Sequence, residues 1–487
     1  MTEIPDIRHA ADALAGGNGP TAADVPEHAT PSGRISVDEL SRLASIGAVD
    51  TVICAMPDLW GRLVGKRLAP HSFLSTALGE EGIHASLYLF VVDMDMDPRP
   101  GYQMTSWEDG FRDCRMVPDT NTLRVIPWLP RTALVLCDPV DEETGELVEV
   151  APRVILKRQL ARYRAAGMSL KCATELEFYL YADDYRSAWE RRYRDLSPLS
   201  YYRSDYHIFQ GSKDEPFVRR IRDVMNAADI EVEFSKSEWG LGQQEVNLRY
   251  ADALEMADRH ALYKTGVKEM SASAGMAASF MAKPKIDDIG SSCHVHLSVW
   301  DQDGERSLVG GSGPAGLSAS FGQFLAGQVE HGPDLAVTLA PNVNSYKRFQ
   351  LNQFAGVNFA WGLDNRTCGL RVVGQGPSMR LEHRLPGADA NPYLLIAALA
   401  AAGLAGIEAE TQCPPPLAAN AADDLECPHM PGTLGEALAR FEGSAFMRDA
   451  FGPAVCEHLA NFYRQELDAF NHETVTDWEL VRYFERV

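Results

Sequence analysis

The first 34 residues show no sustained hydrophobic period and are rich in Ala, Gly, Pro and Asp, the composition of a flexible tail. Order is expected to begin at Ser36-Val-Asp-Glu39, where capping-box spacing precedes apolar Leu40, Leu43 and Ala44 and predicts a short helix, followed by a strand over 49–56. Short apolar runs at 51–55, 86–92, 122–126 and 133–137, separated by Gly, Pro and Asp, then read as a small mixed-sheet domain over 35–146, with the acidic turn at 141–145 as a hairpin tip. From 147 to 487 the period changes. A helix over 154–166, a strand over 171–180 and strands near 238–250 and 293–300 alternate irregularly, which predicts a larger α+β domain in place of a regular βαβ array. The longest charge-free apolar run, 393–407, is too short for the ~20 residues of a membrane span, and its Ala and Gly content predicts a closely packed buried helix.

At 487 residues the chain is long enough for two cores, and a net charge of −23 argues against nucleic-acid or anionic-membrane partners, which need clustered Lys and Arg. The nine cysteines are scattered without a CxxC pair, so neither a disulfide framework nor a thiolate metal site is expected. The N-terminus has no basic flank followed by an apolar block. A cytoplasmic protein is expected on both grounds.

Four segments concentrate metal-binding chemistry. In a strand, residues i and i+2 share a face, so Glu175-Leu-Glu177 aims two carboxylates at one place, a costly arrangement unless a cation joins them. The same geometry recurs in Cys293-His294-Val-His296-Leu-Ser298 and in Arg380-Leu-Glu382-His-Arg384. The glycines of Glu238-Trp-Gly-Leu-Gly-Gln-Gln-Glu245 permit a tight turn that brings two further acids together. Each segment alone reads more simply as an ordinary strand face, a core histidine or a surface ion-pair ladder. Together they offer oxygen and imidazole ligands suited to Mg²⁺ or Mn²⁺. Asn344-Ser-Tyr-Lys-Arg348 and Asn365-Arg366-Thr-Cys-Gly-Leu-Arg371 add guanidinium groups, the bidentate partners of carboxylate and phosphate. Gly61-Arg-Leu-Val-Gly65-Lys66-Arg67 imitates a phosphate loop, but it is one residue short between its glycines and has Arg where Ser or Thr must reach magnesium.

Taken in order, Thr174-Glu-Leu-Glu-Phe178, Glu238 with Gly242-Gln-Gln-Glu245, Gly290-Ser-Ser-Cys-His-Val-His296, Asn344 to Arg348, Asn365 to Arg371, and Arg380 to Arg384 with Asn391-Pro-Tyr393 resemble the glutamine synthetase superfamily from about residue 36 onward. The resemblance implies an N-terminal β-grasp-like domain, a large catalytic domain, and homo-oligomers that are commonly dodecamers of two stacked hexameric rings with sites between neighbouring subunits. It matches Glu177, Glu238 and Glu245 to the ligands of one metal, and Glu175, His294 and Glu382 to those of the nucleotide-side metal. Arg348 and Arg384, with the backbone of Gly290, match the glutamate-binding groups. Arg366 and Arg371 match those near the transferring phosphate, and His296 and Ser298 fall at nucleotide contacts. The implied chemistry is ATP-dependent activation of the glutamate side chain as γ-glutamyl phosphate, followed by attack of an amine.

Two departures bear on that amine. Ammonia-using members carry an Asp-Gly-Ser-Ser segment that is absent here, its nearest equivalent being His84-Ala-Ser-Leu-Tyr88, and Phe354 stands where they place a glutamate. An amine larger than ammonia is expected, ethanolamine-like before a polyamine, whose distal ammonium would call on Asp113 or on Asp93, Asp95 and Asp97. Glutamine synthetase itself, or a non-catalytic assembly or sensor protein of the same fold, are the alternatives. The segment 420–431 lacks the tyrosine that some bacterial members adenylylate.

Overall fold

The computed structural model describes residues 32–79, 82–349, 355–424 and 426–486. Nearly all of the expected tail, and Phe354, lie outside them. Helix α1 (Val37–Ser45) starts at the predicted place, with the Ser36 hydroxyl accepting from the Glu39 amide at 3.1 Å. Only half of the capping box forms, because the Glu39 carboxylate turns to Arg42 at 2.7 and 2.8 Å.

Six strands, β1 (Gly33–Arg34), β2 (Thr51–Pro57), β3 (Leu63–Leu68), β4 (Ile83–Ser86), β5 (Asp113–Val125) and β6 (Thr132–Asp141), form the first sheet in the order β1-β5-β6-β2-β3, with β4 on β5. The β2–β6 pair is parallel and the others antiparallel. The apolar run at 86–92 leaves the sheet early: the Ser86 hydroxyl accepts from the Tyr88 amide and starts a 3₁₀ turn over Leu87–Phe90. The acidic turn closes as expected, with Gly145 N donating to the Asp141 carbonyl at 2.8 Å. The false phosphate loop has other uses. Gly61, at φ +76°, lets its loop approach Asn391, and Gly65 lies in β3 where a Cβ would meet the Cys54 carbonyl at 2.0 Å.

The second sheet has nine strands: β7 (Met168–Tyr181), β8 (Val232–Ser237), β9 (Gln243–Leu248), β10 (Ala251–Asp252), β11 (Ala277–Ser279), β12 (Cys293–Asp301), β13 (Trp361–Leu363), β14 (Leu370–Val373) and β15 (Arg380–His383). Their order is β13-β14-β15-β12-β7-β9-β8, with β10 and β11 also on β7. Of the strand expected near 238–250, only Gln243–Leu248 (β9) is extended; residues 238–242 are the turn that pairs it with β8, and there the φ of +78° at Gly242 and its close approach to the Leu180 carbonyl require glycine.

Helices α2 (Pro152–Ala165), α3 (Ile208–Ala227), α4 (Ala253–Ser273), α5 (Ala319–His331), α6 (Pro392–Glu408) and α7 (Pro453–Glu473) supply most of the packing. Alternate residues of β7, among them Leu170, Cys172, Thr174 and Leu176, are buried, and Thr174 touches Met256 of α4, leaving Glu175 and Glu177 to the opposite face. Helix α6 is the predicted buried element. Its Gly403 lies where a Cβ would strike the Phe324 ring of α5 at 2.1 Å. Asn391 caps α6 and donates to the Asp58 and Leu59 carbonyls at 3.1 and 3.0 Å, so the first sheet is tied to the helix that follows β15. A second tie is buried Arg153, which joins Asp119 and Asp138 of the first sheet to Asp258 of α4 at 2.9–3.0 Å. One apolar core is continuous across both sheets. No helix among the described residues is long and apolar enough to cross a membrane.

Candidate active site

Cross-strand register assembles the site. Glu175 of β7 lies opposite His294 of β12, and Glu177 opposite Glu245 of β9; His296 lies opposite Glu382 of β15, which in turn faces Arg371 of β14. Residues far apart in sequence therefore line one cavity of about 730 Å³. A second cavity, of about 750 Å³ between the 141–158 segment and α7, contains none of the segments with metal- or phosphate-binding chemistry.

Two ligand groups form along β7. In the first, Glu175, His294 and Glu382 bring ligand atoms within 4.8 Å of one another; in the second, Glu177, Glu238 and Glu245 do the same. The first is held by cations and imidazoles. His294 Nδ1 lies 3.2 Å from Glu175 and 3.4 Å from Glu382, and Glu382 is paired with Arg371 at 2.7 Å and with Arg384. Since a guanidinium can only donate, Arg380 Nε at 3.0 Å makes His296 Nδ1 the acceptor, so Nε2 carries the proton given to Glu175 at 2.7 Å. Burial raises Glu175, but the hydrogen bonds from His294 and His296 outweigh it and hold the carboxyl well below its usual range.

The second group is the reverse. Burial first, and the neighbouring Glu238 second, push both Glu177 and Glu245 upward. Glu177 is partly satisfied by the Ser292 amide at 2.8 Å, the Ser292 hydroxyl at 2.5 Å and Gln243 Nε2 at 3.1 Å. Three acids drawn together against their own repulsion, with oxygen donors only, fit a hard divalent cation.

Five arginines, Arg348, Arg366, Arg371, Arg380 and Arg384, complete the cavity. Asn344 is pinned to the backbone of Lys283 at 2.8 and 2.9 Å and Ser345 to Asp389 at 2.6 Å, which fixes the 3₁₀ turn over Ser345–Arg348 and sinks Arg348 into the cavity wall. Burial lowers Arg348 to about 10, so it remains charged at neutral pH. Gly290 is required beside it: a Cβ would lie 2.5 Å from Arg348 Cγ. Asn365 binds the carbonyls of Leu417 and Ala419, setting the turn that carries solvent-exposed Arg366.

Against known proteins, the model of the glutamine synthetase catalytic domain matches residues 149–483. The chain belongs to the glutamine synthetase family. Gamma-glutamylethanolamide synthetase of Streptomyces coelicolor is 46% identical, over 93% of this chain and 96% of that one, and the glutamate–isopropylamine ligase of a Pseudomonas species is 36% identical, over 90% and 95%. The solved complex of GmaS with ADP has a TM-score of 0.79 at 29% identity, covering 91% of this chain and 99% of its own.

Within this glutamine synthetase fold, Glu175, Glu177, Glu238, Glu245, Gly290, His294, His296, Arg348, Arg366, Arg371, Glu382 and Arg384 all line the cavity. Ser298 does not. It shares a strand face with His296, but β12 has run past the cavity there, and the Trp300 indole donates to its hydroxyl at 2.8 Å. Phe354 lies outside the described residues. Asp113 stands on β5 opposite Ser86, and Asp93 is occupied by the amides of Asp95 and Asp97 and by Arg99; none of these acids reaches the cavity of its own chain. Asp205, Tyr206, Phe234 and Lys236 line it without having been singled out by sequence, and Ser292 of the Gly290-to-His296 motif lines it as well. Lys236 alone carried a signal, lying two residues before Glu238.

Proposed function

We propose that the protein is an ATP-dependent ligase that joins the side-chain carboxylate of glutamate to a small primary amine, ethanolamine-like before a polyamine. The observation that carries this reading is the pair of ligand groups on one strand face, with Arg348, Arg366, Arg371 and Arg384 around the same cavity. Kinship with two amine ligases over nine-tenths of the chain supports an organic amine over ammonia.

A carboxylate resists attack by an amine because its leaving group would be oxide, so its oxygen must first take the γ-phosphoryl group of ATP. Magnesium or manganese, held by Glu175, His294 and Glu382 and by Glu177, Glu238 and Glu245, would supply the positive charge that neutralises the phosphates. Arg348 and Arg384 hold glutamate, with the Gly290 backbone beside them. Arg371 and Arg366 face the transferring phosphoryl group, and positioning by these guanidinium groups is the main work left to the protein. Glu382 orients Arg371 and Arg384 from between them. His296, with both nitrogens engaged, fixes Glu175 on the nucleotide side. Assembly into a dodecamer of stacked hexameric rings forms part of this proposal.

Phosphate release from ATP, measured with glutamate and a panel of amines including ammonium, tests it. Ethanolamine is expected to give the highest kcat/KM, with mass spectrometry showing the γ-glutamyl amide. A value for ammonium at or above that of every organic amine would restore glutamine synthesis as the activity.

A further inference from the structure

The second acid group has a tenant. Lys236 of β8 reaches into the cavity, where its ammonium is bonded to Glu238, lies 3.2 Å from Asp205 Oδ1 and stands 4.3 Å from the centre of the Tyr206 ring. Two carboxylates and an aromatic face are the groups that recognise a primary ammonium ion. A lysine needed only to neutralise Glu238 would not require the other two partners. The partners are also built in. Tyr206 holds a left-handed backbone at φ +55°, uncommon for an aromatic residue, and neighbouring Arg203 ties its loop to the 238–242 turn through the Trp239 carbonyl at 3.1 Å and Asp288 at 3.2 Å.

We infer that Lys236 is a specificity-determining residue: its tethered ammonium fills the Asp205–Tyr206–Glu238 cage and so denies it to free ammonium, leaving the amine to be chosen by apolar contact. The inference rests on the ligase reading above. A tethered group acts at an effective concentration on the order of millimolar or more, and a free ion must exceed this to compete. Around the filled cage the cavity offers Tyr206, Phe234, Trp239 and Ile289, surfaces that contribute nothing to ammonia but pack against the methylenes of an alkylamine.

Substitution K236M keeps the length of the side chain and removes its charge, and K236R keeps the charge. With glutamate, ATP and Mg²⁺ saturating, K236M is expected to raise the ratio of kcat/KM for ammonium to that for ethanolamine by about tenfold or more, through a lower KM for ammonium. K236R is expected to keep the wild-type ratio. A binding readout needs no turnover: intrinsic tryptophan fluorescence, to which Trp239 of the cavity wall contributes, titrated with ammonium chloride against sodium chloride, is expected to show a saturable ammonium-specific change in K236M that the wild type lacks. An unchanged amine ratio in an active K236M, or equal ammonium responses in K236M and wild type, overturns the inference. Failure of the ligase reading is distinguishable, because the wild type would then release no phosphate in response to any amine, whereas the fluorescence titration would still report on the cage.

Discussion

Glu175 and Glu177 are two residues apart on one strand face, yet they belong to groups in opposite electrostatic company. On the Glu175 side, β12, β14 and the residue that follows β15 contribute His294, His296, Arg371 and Arg384, and although burial favours its neutral form, His294 and Arg384 bring Glu382 down to about 2. On the Glu177 side, the acids that β9 and the turn before it bring close are Glu245 and Glu238, and although Gln243 donates to Glu177 and Lys236 and Arg348 are adjoining cations, the carboxyls are driven upward. Residue type and strand alternation are the same in both. What differs is the residue that the neighbouring strand places opposite, so register decides which group is internally compensated and which depends on a cation from outside.

The largest effect expected from this contrast is on turnover, with stability moving by unequal amounts. Glu175→Ala and Glu177→Ala are each expected to lower kcat/KM by about 10³-fold or more, because each removes a ligand from a site that must neutralise phosphate charge. In the metal-free protein the two should part. Loss of Glu175 strips His294 and His296 of their shared acceptor and lowers Tm, whereas loss of Glu177 leaves Ser292 and Gln243 without an acceptor but also relieves repulsion among the acids, so that it lowers Tm less. Equal Tm changes would break the comparison, and wild-type activity in Glu177→Ala would remove that group from the reaction.

Arg384 tests the compensated side next. Its guanidinium is buried and paired with Glu382, and the same group is assigned to glutamate. Lysine offers one charged point in place of a planar fork, so Arg384→Lys is expected to weaken glutamate by about 1.5–3 kcal/mol, or ~10- to 100-fold, with ATP binding largely retained. Calorimetric titration showing unchanged glutamate affinity would reassign Arg384 to holding Glu382 in place.

Which parts of this contrast were legible beforehand follows from the physics. Alternation along a strand is local, so Glu175 with Glu177, and His294 with His296, were readable as pairs on a face, and the buried α6 was readable from its unbroken Ala-rich run. The partition of the acids into two groups came from the family resemblance, not from the residues, because it depends on pairing β7 with strands 66 to 119 residues distant, as the Gln243–Glu177 and His294–Glu175 bonds record. Ser298 shows the opposite failure: the alternation is right, but nothing local reveals where the cavity ends along β12. Asp205 and Tyr206 belong to no motif, and their loop is fastened at the cavity by Arg203, which bonds the Trp239 carbonyl and Asp288, and by Lys236, which bonds Asp205.

The smallest effect, and the most specific to the uncompensated group, is expected from Glu245→Gln. Glu177 and Glu245 have folded-state pKa values raised above those of the unfolded chain, by burial and by Glu238. Each therefore contributes stability that is fully present below the ordinary glutamate pKa of ~4.3 and is lost as pH rises through the folded value. The metal-free wild type should accordingly lose stability from mildly acidic pH upward through neutrality, and Mg²⁺ or Mn²⁺ should restore it by binding the folded state alone. Glutamine at 245 keeps the shape and one acceptor oxygen but carries no charge to repel Glu177 and Glu238. The variant is expected to be about 1–2 kcal/mol more stable than wild type without metal at neutral pH, to show a flatter dependence of Tm on pH, and to gain less from added metal. Calorimetric melts of both proteins at several pH values, with and without metal, measure all three. A less stable metal-free variant, or an undiminished response to metal, would mean that Glu245 is already paired in the folded protein and that the two groups do not differ in the way their neighbours suggest.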